Sequence, residues 1–187
     1  MPNSNAATTR VLPDPARDHL RGPANAPNSV VEYSDFECEP CAEARWAVKE
    51  LEEELVDKLC VVFRHLPLTQ IHPHAQAAAE AAEAADAQGK FWLMHDRLFD
   101  HQNELEPSHI QSYASHISLD MATFDRDLRS GVPARRVAED VERARIHGVK
   151  ATPTFFLNGI LYTGPSEFLP MLNALEGSDT QHDRFEK

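Results

Sequence analysis

Residues 30–41 read VVEYSDFECEPC, and the fold is decided here. Val30, Val31, Tyr33 and Phe36 make a β-rich run, so Ser29 to Ser34 is predicted as a buried strand ending in an acidic turn. A helix follows at once. From Cys38 to Leu59, Ala44, Val48, Leu51, Leu55 and Leu59 recur at spacings of three and four, while Glu50, Glu52, Glu53, Glu54 and Lys58 fall mostly elsewhere. Pro40 lies in the first turn, where its missing N–H matters least. Two thiols separated by two residues therefore stand at a strand-to-helix junction. A helix N-terminus carries about half a positive charge and unsatisfied N–H groups, which favour a thiolate at the first cysteine. Cys38 is expected to be exposed and nucleophilic. Cys41, one turn further in, is expected to be more buried and to act as the resolving thiol.

The same C-x-x-C spacing also serves as half of a zinc site. Structural zinc wants four ligands, but Cys60 opens a predicted core strand and no second C-x-x-C exists; His72 and His74 are the best remaining donors. The expectation is no metal. Of the eight other histidines, His19, His101, His109, His116 and His182 lie in polar contexts and are read as solvated.

Outward from the motif, Cys60 to Leu66 (CVVFRHL) is a second strand, closing a β-α-β unit with parallel strands and a right-handed crossover. A long helical stretch comes next. Ala75 to Gln88 is an Ala-rich helix with Glu80, Glu83 and Asp86 on one solvated face, and Phe91, Met94 and Leu98, with Trp92 and Phe99 beside them, mark another helix. Ser108 to Ile117, Asp120 to Arg129 and Pro133 to His147 continue the pattern, punctuated by Gly89, Gly131 and Gly148. The signal then reverts to β: Thr154 to Leu157 and Ile160 to Thr163 flank Asn158-Gly159, the pair that accepts the positive φ angles of a two-residue type I′ turn. A last helix, capped by Ser166, carries Leu169, Leu172 and Leu175.

The domain reading is a Pro-rich arm at 1–27, a core at 28–73 and 148–176, a helical insert at 74–147, and a polar tail at 177–187. Thr152-Pro153-Thr154 precedes the hairpin. Its X-Pro bond is either an ordinary trans bond opening an edge strand or a cis bond that leaves backbone groups free to hold an extended substrate beside the thiols.

Composition narrows the function. The 187 residues carry 18 Lys and Arg against 30 Asp and Glu, a formal charge of −12, with 42% hydrophobic residues. Such a chain buries a real core, and no apolar run approaches the about 18 residues of a membrane span. Nucleic acid is not an expected partner, since no basic stretch exceeds Arg135-Arg136. Three cysteines are too few for a secreted disulfide framework, and Met1 to Arg10 lacks a charged segment leading into an apolar one. The expected location is the cytoplasm, or the periplasm if a leader has been removed.

The stretches VVEYSDFECEPC, VVFRHLPL with IHPHAQAAAEAAEAA, QGKFWLMHDRLF and GVKATPTFFLNG, in this order and covering about Gly22 to Leu175, resemble the DsbA-like branch of the thioredoxin superfamily. The resemblance implies an α/β thioredoxin fold: a central mixed β-sheet flanked by helices, with a helical insert between a β-α-β half and a β-β-α half. It implies a thiol–disulfide oxidoreductase acting on protein or small-molecule thiols and disulfides, with Cys38 attacking, Cys41 resolving, Pro153 as the cis proline and Thr152 before it. Glu32 resembles the family's buried acid, a proton relay for Cys41; a strand glutamate facing solvent is the other reading. Thr152, Glu39 and Pro40 are the candidate substrate contacts. No cofactor is implied beyond the Cys38–Cys41 disulfide itself, with glutathione as a candidate redox partner.

The motif departs from the family where proline usually follows the first cysteine and histidine often comes next. Glu37, Glu39 and Glu43 crowd the thiolate instead, so a weaker oxidant than DsbA is expected. In a reducing cytoplasm this favours the reductase or isomerase direction. A non-redox peptide-binding holdase and a glutathione-dependent isomerase of the kappa type are the rivals; the oligomeric state is left open.

Overall fold

The computed structural model describes residues 10–182, with side chains through Gly177. It resolves into two compact units: one runs to Glu32 and continues through Ala47–Phe63 and from Thr154 onward, the other holds Tyr33–Trp46 and Arg64–Pro153.

The first unit holds nearly all of a five-stranded sheet of order β1-β3-β2-β4-β5, with β1 at His19–Arg21, β2 at Asn28–Ser34, β3 at Leu59–His65, β4 at Thr154–Leu157 and β5 at Ile160–Tyr162. Every residue of β2 and β3 is buried: β3 opens with the unbroken apolar run Leu59–Phe63, whereas β2 also buries Asn28, Ser29, Glu32 and Ser34. Strand β1 lies in the Pro-rich arm, where the sequence reading assigned no strand; it pairs antiparallel with β3, Leu20 opposite Val62. This reach of the arm depends on Gly22. At its φ of +89° an added Cβ would stand 2.1 Å from the Leu59 carbonyl oxygen, so only glycine fits. The arm also touches the hairpin, where the Val11 N–H donates to the Gly159 carbonyl at 3.0 Å.

The β4–β5 hairpin has the expected register, Leu157 opposite Ile160. Asn158 and Gly159 turn at φ +49° and +82°, as a type I′ turn requires. The Asn158 side chain does more than turn the chain: Oδ1 accepts from the Ser29 N–H at 2.8 Å and Nδ2 donates to Asn28 Oδ1 at 3.0 Å, tying hairpin to β2. The last helix spans Phe168–His182, past Gly177 where the tail was expected to begin; the rest of that tail, 183–187, lies outside the described residues.

Helix α1 covers Glu39–Leu55, followed by one 3-10 turn at Val56–Lys58. The expected helix to Leu59 is therefore four residues too long. Leu59 matched the helical spacing by coincidence, since its burial is that of the first residue of β3.

In the second unit α2 (Ala75–Asp86) packs against each of α3 (Phe91–Asp100), α4 (Pro107–His116), α5 (Met121–Ser130) and α6 (Val132–Ile146). Small side chains permit this central place: seven alanines of α2 are buried. The reading of Glu83 as part of a solvated face is corrected. Glu83 is 8% exposed and faces His65 Nε2 at 2.9 Å, on the packed side of α2, while Glu80 is half-buried and Asp86 is exposed. His19, read as solvated, is buried in β1 as well. Among the described residues no helix is long and apolar enough to cross a membrane.

Candidate active site

Cys38 is the residue before α1, and its carbonyl accepts the first helical bonds, from the Cys41 N–H at 3.0 Å and the Ala42 N–H at 3.3 Å. Its own N–H donates to the Asp35 carbonyl at 3.2 Å. The thiol thus sits where unsatisfied helix donors converge. Against it lies the loop ending the second unit: the Thr152–Pro153 peptide is cis, and Cys38 Sγ is 3.5 Å from the Thr152 carbonyl oxygen. That loop corrects one expectation. Cys38 is only 4% exposed, against 0% for Cys41; the surface part of the motif is Glu39 and Pro40.

The electrostatics favour a thiolate despite the burial. The Cys38 thiol is lowered to about 6, chiefly through the Cys41 thiol; burial opposes this, the Thr152 side chain and the Cys41 N–H assist, and the Asp35 charge opposes. The Thr152 hydroxyl is buried with no hydrogen-bond partner in the reduced state, which leaves its proton available to a sulfur anion. Cys60, in the first unit, is 1% exposed and behaves oppositely: burial, then the Asp18 charge, push it up. Glu32 is 5% exposed in β2, against the reading of a solvated strand glutamate.

The acid that opposes the thiolate is Asp35, not the Glu37, Glu39 and Glu43 group expected from sequence. Asp35 is 2% exposed and organises the approach to the cysteine. Its Oδ1 accepts from the Glu37 N–H, and its Oδ2 from the Leu68 N–H and His72 Nδ1, all at 2.8 Å. Glu37 is held in parallel by His74, through its N–H at 2.7 Å and Nδ1 at 2.9 Å. Since the carboxylate oxygens accept, both Nδ1 atoms carry the proton. Sequence reasoning missed these pairs. The signal was a matched spacing, Asp35-x-Glu37 against His72-x-His74.

A second missed residue is Gln102, in the turn after α3. Its Nε2 donates to the Phe36 carbonyl at 2.9 Å and the Cys38 carbonyl at 2.7 Å. No spacing in the sequence points to it.

Residues 15–176 match a family profile described as thioredoxin. Among curated relatives, the chain is 53% identical over 154 residues to a protein of Salinispora tropica named Na(+)/H(+) antiporter NhaA 3, covering 81% of this chain and 23% of that one. It is 42% identical over 165 residues to the Na(+)/H(+) antiporter NhaA of Herminiimonas arsenicoxydans, covering 88% and 26%. The chain therefore spans about a quarter of the length of these relatives. Among solved structures it resembles a thioredoxin-like oxidoreductase of Silicibacter pomeroyi, with a TM-score of 0.79 at 24% identity over 89% of this chain and 94% of that one. BdbD of Bacillus subtilis superposes with a TM-score of 0.80 at 19% identity over 91% and 97%. For alpha-DsbA1 of Wolbachia pipientis the values are 0.79, 21%, 94% and 98%. At these identities the structural likeness speaks to fold.

Proposed function

The chain belongs to the thioredoxin family, with the DsbA-like form of its fold, and from that premise we propose that it is a thiol–disulfide oxidoreductase working through Cys38 and Cys41. The observation that carries the proposal is a thiol at a helix start whose pKa is lowered to about 6 while a second thiol stands one turn behind it. The Cys38 thiolate attacks one sulfur of a substrate disulfide; a Cys38–substrate bond forms, the substrate S–S bond breaks, and the departing sulfur leaves as thiolate and takes a proton. The Cys41 thiol then gives up its proton and attacks Cys38 Sγ, forming the Cys38–Cys41 disulfide and releasing the second substrate thiol. Two electrons pass to the substrate. Run backwards, the same steps oxidise a dithiol.

Glu32 is proposed as the carboxylate that exchanges protons with Cys41, a task suited to a buried acid. Glu39 and Pro40, exposed beside the thiol, and Thr152 with cis Pro153 supply the contacts to an extended thiol or disulfide substrate. The cellular setting proposed is the cytoplasm, where the reductase or isomerase direction prevails. The antiporter named in the relatives belongs to those longer proteins; what is proposed here concerns the quarter they share.

Insulin reduction with a glutathione-coupled readout tests the reading. Wild type turns over, Cys38→Ser loses activity, and Cys41→Ser accumulates mixed disulfide with substrate. Peptide binding that persists in Cys38→Ser, with no turnover by wild type, would establish the holdase instead.

A further inference from the structure

Two carbonyl groups beside the reactive sulfur converge on one side-chain nitrogen. Gln102 Nε2 carries two protons, and both are used, one on the Phe36 carbonyl and one on the Cys38 carbonyl. The orientation of the amide follows from chemistry, since its oxygen turned to this side would face two other acceptors. The Cys38 carbonyl divides its lone pairs: Cys41 and Ala42 N–H share the helical direction, and Gln102 takes the other. Gln102 is itself held in place. Phe99 of the preceding helix packs on Phe36 with ring centres 4.9 Å apart, and Arg45 of α1 donates to the Asp96 carbonyl at 3.2 Å and pairs with Asp100 at 2.8 Å. On the far side, the Glu104 N–H closes the turn on the His101 carbonyl at 2.8 Å, and the His101 ring stacks on Tyr113 at 5.0 Å.

We propose that Gln102 is a positioning residue for disulfide exchange, fixing the curve of residues 36–38 that presents the Cys38 sulfur and offsetting the negative ends of the two carbonyl dipoles beside it. This deepens the oxidoreductase reading and rests on it. By covalent geometry the Cys38 carbonyl lies within a few ångströms of its own sulfur, so a donor on that oxygen favours the thiolate over the uncharged mixed disulfide. The donor is neutral. Its influence therefore persists across pH and salt, unlike that of an ionised group.

The test uses the reduced 187-residue chain with Gln102→Met, Gln102→Glu and Gln102→Lys, reading thiolate absorbance near 240 nm against pH and the rate of Cys38 alkylation by iodoacetamide. Methionine fills the space without a donor, and the thiolate fraction at pH 6 should fall roughly three- to tenfold, the range expected for one lost hydrogen-bonding donor, with alkylation slowed in the same direction by less, since a more basic thiolate is the better nucleophile. Glutamate faces two carbonyls with a carboxylate and should raise the thiolate pKa further; lysine restores the donors and should return it to or below the wild-type value. A merely structural role would shift melting temperature without this order. A Gln102→Met variant that titrates like wild type, or a Gln102→Lys variant that titrates above it, would overturn the proposal, and these two readings decide it even if Gln102→Glu fails to fold. Absence of wild-type insulin turnover would overturn the oxidoreductase reading instead, and leaves the thiolate titration readable.

Discussion

Cys38 and Cys60 are the same residue, almost equally hidden from water at 4% and 1% exposure, yet their thiols are displaced in opposite directions. Burial raises a thiol, as it does first of all at Cys60 in β3, where the Asp18 charge adds to it. At Cys38 the same penalty is overcome by donors: the Cys41 thiol, the Thr152 side chain and the Cys41 N–H. The stability of the thiolate here is thus set by what points at the sulfur rather than by how much solvent reaches it. The two units differ in the same way. The strand that holds Cys60 spends its N–H groups on neighbouring strands, whereas the start of a helix leaves them uncommitted.

The sharpest break of this comparison is kinetic. With a pKa of about 6, roughly nine-tenths of Cys38 is ionised at pH 7, against about one-thirtieth of an ordinary thiol. Because a thiolate of lower pKa is also a weaker nucleophile, native reduced protein should lose one thiol to iodoacetamide at pH 7 only about two- to threefold faster than free cysteine for equal access, but with a midpoint near pH 6, and Cys60 should react only after unfolding. Peptide mapping after a short pulse at several pH values checks both. Stability of the reduced protein carries opposite signs at the two sites. For Cys38 the folded pKa is depressed, so its contribution is present above the unfolded value of about 8.5 and lost as pH falls through about 6. For Cys60 the folded pKa is raised, so its contribution is present below the unfolded value and lost as pH rises through the folded one. Cys38→Ser should flatten the rise in urea midpoint between pH 6 and 8, and Cys60→Ser should leave it.

A smaller effect is expected from the one charge that opposes the thiolate. Asp35→Asn removes it, and the Cys38 pKa should fall further, by up to about one unit. The exchange is not free of structural cost. Asp35 accepts from Glu37, Leu68 and His72, and an amide nitrogen in place of one oxygen must meet a donor, so stability should fall by about 1 to 3 kcal/mol. Thiolate titration and urea unfolding on the same sample separate the two. A raised pKa would mean that Asp35 helps Cys38 mainly by shaping its loop.

The thioredoxin-like framework was legible because its signals are local. The run from Val30 to Phe36, the C-x-x-C at a helix start and Asn158-Gly159 each specify a conformation within a few residues, and Gly131 and Gly148 mark helix ends at φ +71° and +72°. What escaped were choices made by partners distant in sequence. Strand β1 forms because β3 offers an edge, Glu83 is buried because His65 is there to meet it, and Gln102 meets Phe36 and Cys38 across 66 and 64 residues. The electrostatics were half legible. The acidic surroundings of Cys38 were plain, but which acid opposes the sulfur depends on direction: Glu37 is turned toward His74 while Asp35 faces inward.

That correction reduces the expected weight of Glu39, and Glu39→His is the weakest perturbation of the comparison. Glu39 is the first residue of α1 and exposed, so its charge reaches the sulfur largely through water. A charge change at an exposed helix terminus is worth about 0.3 to 1 kcal/mol, which for a two-electron couple corresponds to roughly 7 to 20 mV if it falls on the reduced form alone. The variant should be more oxidising by that amount in equilibrium with glutathione, and the difference should shrink at high salt because the charge is at the surface. A shift of the same size that ignores salt would mean that the residue acts through the loop geometry around Cys38. No shift at all would place the whole electrostatic control of this thiol in its buried neighbours, Cys41, Thr152 and Asp35, and leave the dipeptide between the cysteines to substrate contact alone.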